Sequence, residues 1–252
     1  MFPTQRERPA LTRGAAPMLI RVINPNTSGA MTELIGACAR QVAGPGTRVE
    51  AVSPTTGPAS IESHYDEALA VPGVLAEIAR GEAAGAAGHV IACFGDPGLD
   101  AARELATSPV VGIAEAAMHV ASLLGRSFAV VTTLGRTRGQ AWELADRYGL
   151  RARCRNVRAC EVPVLDLETD PSARARILTE CRAAVAEDEA EVVVLGCAGM
   201  ADLCQALASE LGVPVVDGVA AATMLVEGLA RLGLATSKRG EYAAPPPKPY
   251  VT

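Results

Sequence analysis

The sequence has no apolar run of the roughly 20 residues that cross a bilayer, so we expect no membrane-spanning segment. Its first 17 residues also lack the apolar core of a secretion signal. Lys and Arg are scattered along a chain of formal net charge −5, which argues against nucleic acid or an anionic membrane as a partner. We therefore expect a cytoplasmic protein that binds a small molecule.

Metal-binding patterns are missing as well. No two of the seven cysteines form a C-x-x-C pair, and His64, His89 and His119 do not stand at zinc-ligand spacing with any cysteine. An odd number of cysteines in a reducing compartment indicates free thiols rather than a disulfide framework. We expect no metal, and we expect the histidines to be surface or structural residues.

The two ends of the chain differ from the rest in composition. Residues 1–17 contain three arginines and three prolines, and we expect a disordered extension there, with a targeting peptide as the alternative. Residues 243–249 contain three consecutive prolines, which exclude a helix or a central strand. The second segment is expected to be a disordered end or an extended strap.

Between these ends, short β-branched runs alternate with stretches rich in Ala and Leu, which is the α/β pattern of buried parallel strands and connecting helices. The predicted strands are 19–23, 48–53, 90–93, 110–113, 128–132, 191–195 and 213–216, with 152–160 as a further edge strand. The best-marked helices are 114–124, 173–186, 200–211 and 220–232.

Two segments of the chain resemble each other in sequence pattern. A strand ending at Cys93, a helix and Pro109-Val-Val are echoed by a strand ending near Cys197, a helix and Pro214-Val-Val. The strand 128–133 repeats the strand 19–24 at a similar offset, which matches Thr132 with Asn24. Similar composition alone makes α/β units look alike, but the matched offsets favour two related halves. Ligands bind at the carboxyl ends of parallel strands, so two facing halves would bring both thiols into one cleft.

Each of these cysteines stands where a strand gives way to a helix. There the helix dipole and main-chain N–H groups favour thiolate, so we expect lowered pKa values for both thiols. Inversion of a carbon next to a carbonyl needs a base on one face and an acid on the other, which two opposed thiols supply. Gly95, Gly98, Gly196 and Gly199 would let main-chain N–H groups approach the enolate oxygen. This chemistry requires no cofactor.

The motifs together carry a family resemblance that runs from Met18 nearly to the end of the chain. They are Asn24-Pro25-Asn26-Thr27-Ser28, the stretches 57–62 and 65–68, Cys93 to Gly98, the stretch 111–116, Gly196-Cys197-Ala198-Gly199-Met200, Thr236-Ser237-Lys238 and Tyr242. With these motifs the sequence resembles the hydantoin racemases of the aspartate/glutamate/hydantoin racemase superfamily. Allantoin racemases are similar over the same motifs.

The resemblance implies two flavodoxin-like (Rossmann-like) three-layer α/β domains, related by a pseudo-twofold axis. We expect residues 18–115 with about 220–252 to form the first domain, and residues 116–219 the second. The resemblance further implies a cleft with Cys93 and Cys197 as the catalytic pair, 5-monosubstituted hydantoins as substrates, no cofactor and a homo-oligomer.

Further ligand-contact candidates follow from this resemblance and from strand-end positions. Asn24 and Asn26 are candidates to hold a ring amide or carbonyl, and equally to form a turn and cap; Thr132 and Thr133 occupy the matching end. The other candidates are Ile61, Phe94, Gly95, Ala198 and Gly199.

Two carboxylates are harder to assign. We expect Asp96 to cap a helix or remain solvated rather than act in catalysis, and Glu115 to be either structural or close to the site. The remaining cysteines, Cys38, Cys154, Cys160, Cys181 and Cys204, have no matched partner and are not expected to be catalytic.

Three alternatives remain beside hydantoin racemisation. One is allantoin racemisation. Another is an arylmalonate-type decarboxylase or a cis-trans isomerase, although such a decarboxylase needs only one protonating thiol. Aspartate or glutamate as substrate is disfavoured because Ala198, rather than a hydroxyl residue, follows the second cysteine. The third alternative is a two-lobed protein that binds a small solute without converting it.

Overall fold

The structure is a computed structural model that describes residues 17–249. The segment expected to be a disordered extension therefore lies outside the described residues, except for Pro17. No helix within the described part has the length and apolar character needed to cross a membrane.

The first half of the described chain forms one parallel sheet with the strand order β2-β1-β3-β4. Each strand is followed by a helix, as the alternating apolar pattern predicts. The elements are β1 (Met18–Ile23), α1 (Gly29–Val42), β2 (Thr47–Val52), α2 (His64–Ala83), β3 (Gly88–Ile91), α3 (Leu99–Leu105), β4 (Val110–Gly112) and α4 (Ile113–Leu124).

The second half forms a separate parallel sheet with the order β6-β5-β7-β8, which is the first order with each number raised by four. Its elements are β5 (Phe128–Thr132), α5 (Arg138–Arg147), β6 (Cys154–Ala159), α6 (Ala173–Ala186), β7 (Val192–Leu195), α7 (Cys204–Leu211), β8 (Val215–Val216) and α8 (Gly218–Arg231). The order 2-1-3-4 is that of flavodoxin-like sheets. The predicted pair of related flavodoxin-like α/β domains is confirmed.

Alternate residues of the central strands face different apolar layers. In β3, Val90 joins a core between the two halves, whereas Ile91 packs with Val74 and Ile78 of α2 on the other face. In β5, Val130 faces that same central core and Val131 faces an outer core. Helices therefore cover both faces of each sheet, and this explains why the strands read as continuous apolar runs.

Helices α4 and α8 join the two halves. They pack against each other, and α4 also packs on β7 of the second sheet while α8 packs on α1 and β3 of the first. The division of the chain into 18–115 with 220–252, and 116–219, stays a prediction.

One predicted element differs from its observed form. The helix expected over 200–211 is a 3₁₀-helix over Ala198–Leu203 that continues as α7. Gly196 and Gly199 give the entry low helix propensity, and Met200 N donates to Cys197 O in the tighter i to i+3 pattern. The predicted edge strand is confirmed as β6, and residues 243–249 are exposed with neither helix nor strand.

Candidate active site

The two matched cysteines leave their sheets in the same hydrogen-bonding register. The residue before Cys93 donates its main-chain N–H to the carbonyl of Ile23, the last residue of β1, at 2.8 Å. The residue before Cys197 donates in the same way to Val131 in β5, also at 2.8 Å. The internal repeat inferred from the sequence is therefore a repeat of backbone geometry.

Both cysteines line one cavity between the two halves. Its volume is about 50 Å³, several times the roughly 10–15 Å³ that one water requires, so it suits a small ligand. The cavity is lined by Asn24, Asn26, Met31, Ile61, Ala92, Cys93, Phe94, Gly95, Thr132, Thr133, Thr137, Gln140, Ala141, Val164, Gly196, Cys197 and Ala198. Of the sequence-predicted site residues, Gly98 and Gly199 are absent from this lining, and Gly98 is instead the N-cap residue of α3.

Each thiol faces the main-chain N–H of a glycine two residues later. The N–H of Gly95 lowers the pKa of Cys93, and the N–H of Gly199 lowers that of Cys197. Gly199 thus contacts the thiol while lying outside the cavity wall. A Cβ at Gly199 would make an ordinary contact of 3.7 Å with the Cys197 Sγ, but it would lie 2.9 Å from a methyl of Leu167, which would have to shift.

The prediction of lowered thiol pKa values is wrong for both cysteines. Burial raises the pKa of Cys197 to about 11, against the opposing effect of the Gly199 N–H. Burial raises the pKa of Cys93 further, and the charges of Cys197, Glu67 and Asp96 add to the rise. Geometry explains the failure at Cys93, because α3 begins only at Leu99 and a turn separates the thiol from the helix dipole.

Asn24 mainly fixes the turn after β1, whereas Asn26 also keeps a donor for a ligand. Asn24 Nδ2 donates to Asn26 Oδ1 at 2.7 Å and to Thr32 Oγ1 at 3.0 Å, which fixes the turn between β1 and α1. Asn26 Oδ1 also accepts the N–H of Ser28 at 2.9 Å. The Nδ2 of Asn26 faces only the thioether of Met31 at 3.2 Å, a weak acceptor, so it retains donor capacity toward a ligand.

Thr132, at the matching end of β5, presents an acceptor. Its Oγ1 lies 3.0 Å from Thr137 Oγ1, whose own hydroxyl donates to the Leu134 carbonyl at 2.9 Å. The Thr132 hydroxyl also lies 3.4 Å from the Gly196 carbonyl, to which it can donate, and its oxygen keeps a lone pair for a ligand N–H. The neighbouring Thr133 lines the cavity and accepts a hydrogen bond from Cys160 Sγ at its carbonyl.

Asp96 caps a helix, which was one of the two expectations for it. It is only 2% exposed, so it does not remain solvated. Its carboxylate accepts the N–H groups of Ala114 (3.0 Å) and Glu115 (2.9 Å) at the start of α4, and the hydroxyl of Tyr148 (2.6 Å). Burial raises its pKa to about 6. In the second half, α8 is capped instead by its own N-cap residue, Asp217.

Glu115 is paired away from the cavity. Its carboxylate accepts from Arg103 at 2.5 Å, and Arg103 also donates to the carbonyl of Val110. The pair ties α3 to α4, so the structural interpretation of Glu115 applies.

Sequence reasoning missed several residues of the cavity wall. Met31 lies in the first turn of α1, and Thr137, Gln140 and Ala141 lie at or just before the start of α5. Both helices follow the matched strands, so the first turn after each strand end was an available signal. Val164 comes from a 3₁₀ segment after β6, which no pattern in the sequence marks.

The other reactive side chains lie elsewhere. All seven cysteines are free, and the five unmatched ones do not line the cavity. His64 and His119 are exposed, while His89 is fully buried with its Nε2 3.0 Å from Glu82. Among residues 17–249, no three His, Cys, Asp or Glu side chains come together as a metal site.

Comparison with known proteins identifies the family. A family model described as Asp/Glu/Hydantoin racemase matches residues 20–226. The chain belongs to this family. Among its relatives, the hydantoin racemase of Pseudomonas sp. (strain NS671) is 50% identical over 235 residues, covering 93% of this chain and 94% of that protein.

Two further relatives support the same family assignment. The hydantoin racemase of Rhizobium meliloti is 51% identical over 229 residues, covering 90% of this chain and 95% of that protein. The solved structure of allantoin racemase from Klebsiella pneumoniae shares 52% identity with a TM-score of 0.92, covering 93% of this chain and 96% of that chain. The predicted enzyme class, an isomerase of the racemase type, is confirmed.

Proposed function

We propose that this chain is a cofactor-independent racemase of 5-monosubstituted hydantoins, in which Cys93 and Cys197 are the two acid/base groups. One observation supports this above all. Two thiols reach the same small cavity from matched strand ends of two opposed halves. Thiols that enter a cavity from two different halves are suited to act on opposite faces of one carbon.

The proposed reaction is balanced without a co-reactant. One thiolate removes the proton at C5, so that a C–H bond breaks, an S–H bond forms and the electron pair passes into the neighbouring carbonyl as an enolate. The opposite thiol then gives its proton to the other face, which breaks its S–H bond and forms the new C–H bond. The two sulfurs have exchanged roles, and proton exchange with solvent restores the starting state.

The electrostatics of the cavity favour one thiolate at a time. A negative charge on Cys197 raises the pKa of Cys93. When one sulfur is protonated, the other therefore loses its own proton more readily. Cys93 faces the added charges of Glu67 and Asp96. Glu62 acts on Cys197 in the same direction, but burial and charge raise the pKa of Cys93 further, so Cys197 has the lower pKa of the two.

The polar groups of the cavity complement a hydantoin ring, which has both carbonyl oxygens and N–H groups. Asn26 Nδ2 supplies a donor that only a thioether engages, and Thr132 Oγ1 supplies an acceptor. A donor aimed at the oxygen that becomes the enolate would stabilise the transition state by roughly 2.7–4 kcal/mol. We assign the ring carbonyl to Asn26 and a ring N–H to Thr132.

Allantoin is the second candidate substrate, because it is a hydantoin with a ureido group at C5. The similarity to the solved allantoin racemase supports it. The decarboxylase alternative needs a single protonating thiol, and the presence of two in the cavity favours racemisation.

Polarimetry tests the proposal. Purified protein, dialysed against EDTA and supplied with no pyridoxal phosphate, is given L-5-benzylhydantoin or one enantiomer of allantoin, each against a protein-free blank. We expect optical rotation to decay to zero with at least one of the two. Unchanged rotation with both would indicate a binding protein, and activity that is lost on dialysis and restored by zinc would refute cofactor independence.

A further inference from the structure

A polar pair spans the two halves beside the cavity. Gln140, in α5 of the second half, lines the cavity and donates its Nε2 to Glu67 Oε2 at 2.5 Å. Glu67 belongs to α2 of the first half, and its side chain is 21% exposed. The amide of Gln140 is thus held in one orientation by a carboxylate behind it.

Gly95 permits this arrangement. A Cβ at that position would lie 2.7 Å from Gln140 Nε2 and 3.3 Å from Glu67 Oε1. Because the N–H of Gly95 also faces the Cys93 thiol, the Gln140 amide lies against the same turn that presents the thiol to the substrate. Gln140 therefore lies beside the turn that carries Cys93.

The anchored amide still has hydrogen-bonding capacity. One N–H of Gln140 is engaged by Glu67, and no hydrogen bond among the described residues uses its Oε1. The second N–H and Oε1 form a donor and acceptor pair in one plane. Such a pair matches a second amide or ureido group, which presents C=O and N–H in the same way.

The position of Gln140 corresponds to the C5 substituent rather than to the ring. The ring partners are Asn26, in the turn that follows β1, and Thr132, the last residue of β5. Gln140, with Ile61 and Val164, comes from the helices and loops that surround those strand ends. A ring held by the strand ends therefore directs its substituent toward Gln140.

We propose that Gln140, oriented by Glu67, is the specificity-determining residue of this racemase and selects 5-substituents that have amide-type C=O and N–H groups, such as the ureido group of allantoin. The inference rests on the proposed function of the same cavity. An aliphatic or aromatic substituent would leave the Gln140 oxygen and N–H unpaired, and a site built to hydrogen-bond its substrate discriminates strongly against such an analogue.

The experiment compares kcat/KM for allantoin with kcat/KM for 5-isobutylhydantoin. In the wild type we expect the ratio to favour allantoin. Gln140→Leu, which replaces the amide by an apolar side chain one bond shorter, should lower the ratio at least about tenfold, the scale of a lost hydrogen bond or two. Glu67→Gln should lower it less, because Gln140 then loses its anchoring carboxylate but keeps its amide. Glu33→Gln, the same change at an exposed position of α1, is the matched control and should leave the ratio unchanged.

The outcomes separate this inference from the proposed function. Racemisation of 5-isobutylhydantoin but not of allantoin, or an equal loss for both substrates in Gln140→Leu, would overturn the inference and leave the function standing. Racemisation of neither compound would refute the function. In that case calorimetric binding of the two compounds decides the inference: a preference for allantoin that Gln140→Leu abolishes supports it, and equal affinities overturn it.

Discussion

Removal of one thiol should separate proton exchange from racemisation. The proposed mechanism needs one sulfur on each face of C5, and the two sulfurs come from different halves of the molecule. In Cys93→Ala or Cys197→Ala, the surviving thiolate can remove and return a proton on one face only. Each variant should therefore exchange the C5 proton of a single enantiomer with retention, and the two variants should act on opposite enantiomers.

The magnitudes follow from acid/base chemistry and from the thiol pKa. A positioned proton donor or acceptor contributes about 10²–10⁴-fold, so racemisation should fall by that factor in each variant. In Cys93→Ala the remaining base is Cys197, whose pKa burial raises to about 11. Roughly one molecule in a thousand then has the thiolate at pH 8, and its exchange rate should rise about tenfold from pH 8 to pH 9.

The assay is proton NMR of each separate enantiomer of 5-benzylhydantoin in heavy water, with polarimetry on the same samples. In the wild type, newly formed product should contain deuterium while the remaining substrate stays largely protiated. Cys181→Ala, at a buried cysteine of α6 outside the cavity, is the control for loss of a thiol. Exchange of both enantiomers by one variant, or near-normal racemisation by Cys197→Ala, would refute the two-base mechanism.

Three predictions concern stability. Burial in the folded state raises the Asp96 pKa to about 6, above its unfolded value. The contribution of this group to the free energy of unfolding is therefore complete below about pH 4 and declines as pH rises toward 6. Urea unfolding should show a loss of up to about 3 kcal/mol over that range, and the loss should be absent in Asp96→Asn. Gly112→Ala places a Cβ 2.2 Å from the Asp96 carboxyl carbon and should lower the free energy of unfolding by about 1–3 kcal/mol, whereas Gly139→Ala, with no heavy atom within 4 Å, should match or exceed the wild type. Lys238 donates from Nζ to the carbonyls of Arg103 and Glu104 at the end of α3, both at 2.7 Å. Lys238→Met should therefore lower the free energy of unfolding by roughly 1 kcal/mol and speed proteolysis after α8. Equal proteolysis rates would show that this contact does not hold the segment.

The strands and the cysteine pair were predictable because they depend on local patterns. Buried parallel strands require β-branched runs, and the repeat around Cys93 and Cys197 required only the comparison of offsets within the chain. The same argument brought Asn24 and Thr132 to matching strand ends. These inferences succeed because parallel strands fix where their carboxyl ends lie.

The parts that failed or were missed depend on contacts between distant segments. Gln140 lines the cavity through a partner 73 residues away, and Val164 through a loop whose position the opposite half sets. The thiol pKa values depend on burial, which the sequence around a cysteine does not report. The helix dipole argument assumed that a helix starts at Cys93, whereas a turn of several residues intervenes.

The unequal caps of α4 and α8 have a consequence for how the two thiol-bearing turns can change. The Cys93 turn also provides Asp96, which holds the start of α4 and the Tyr148 hydroxyl, so substitutions there disturb both halves at once. The Cys197 turn does not cap α8 in this way, because α8 is capped by Asp217. Substitution of Asp96 should therefore lower the free energy of unfolding as well as the activity, whereas the limits on residues 198–203 come from local packing, including the contact of Gly199 with the Cys197 thiol.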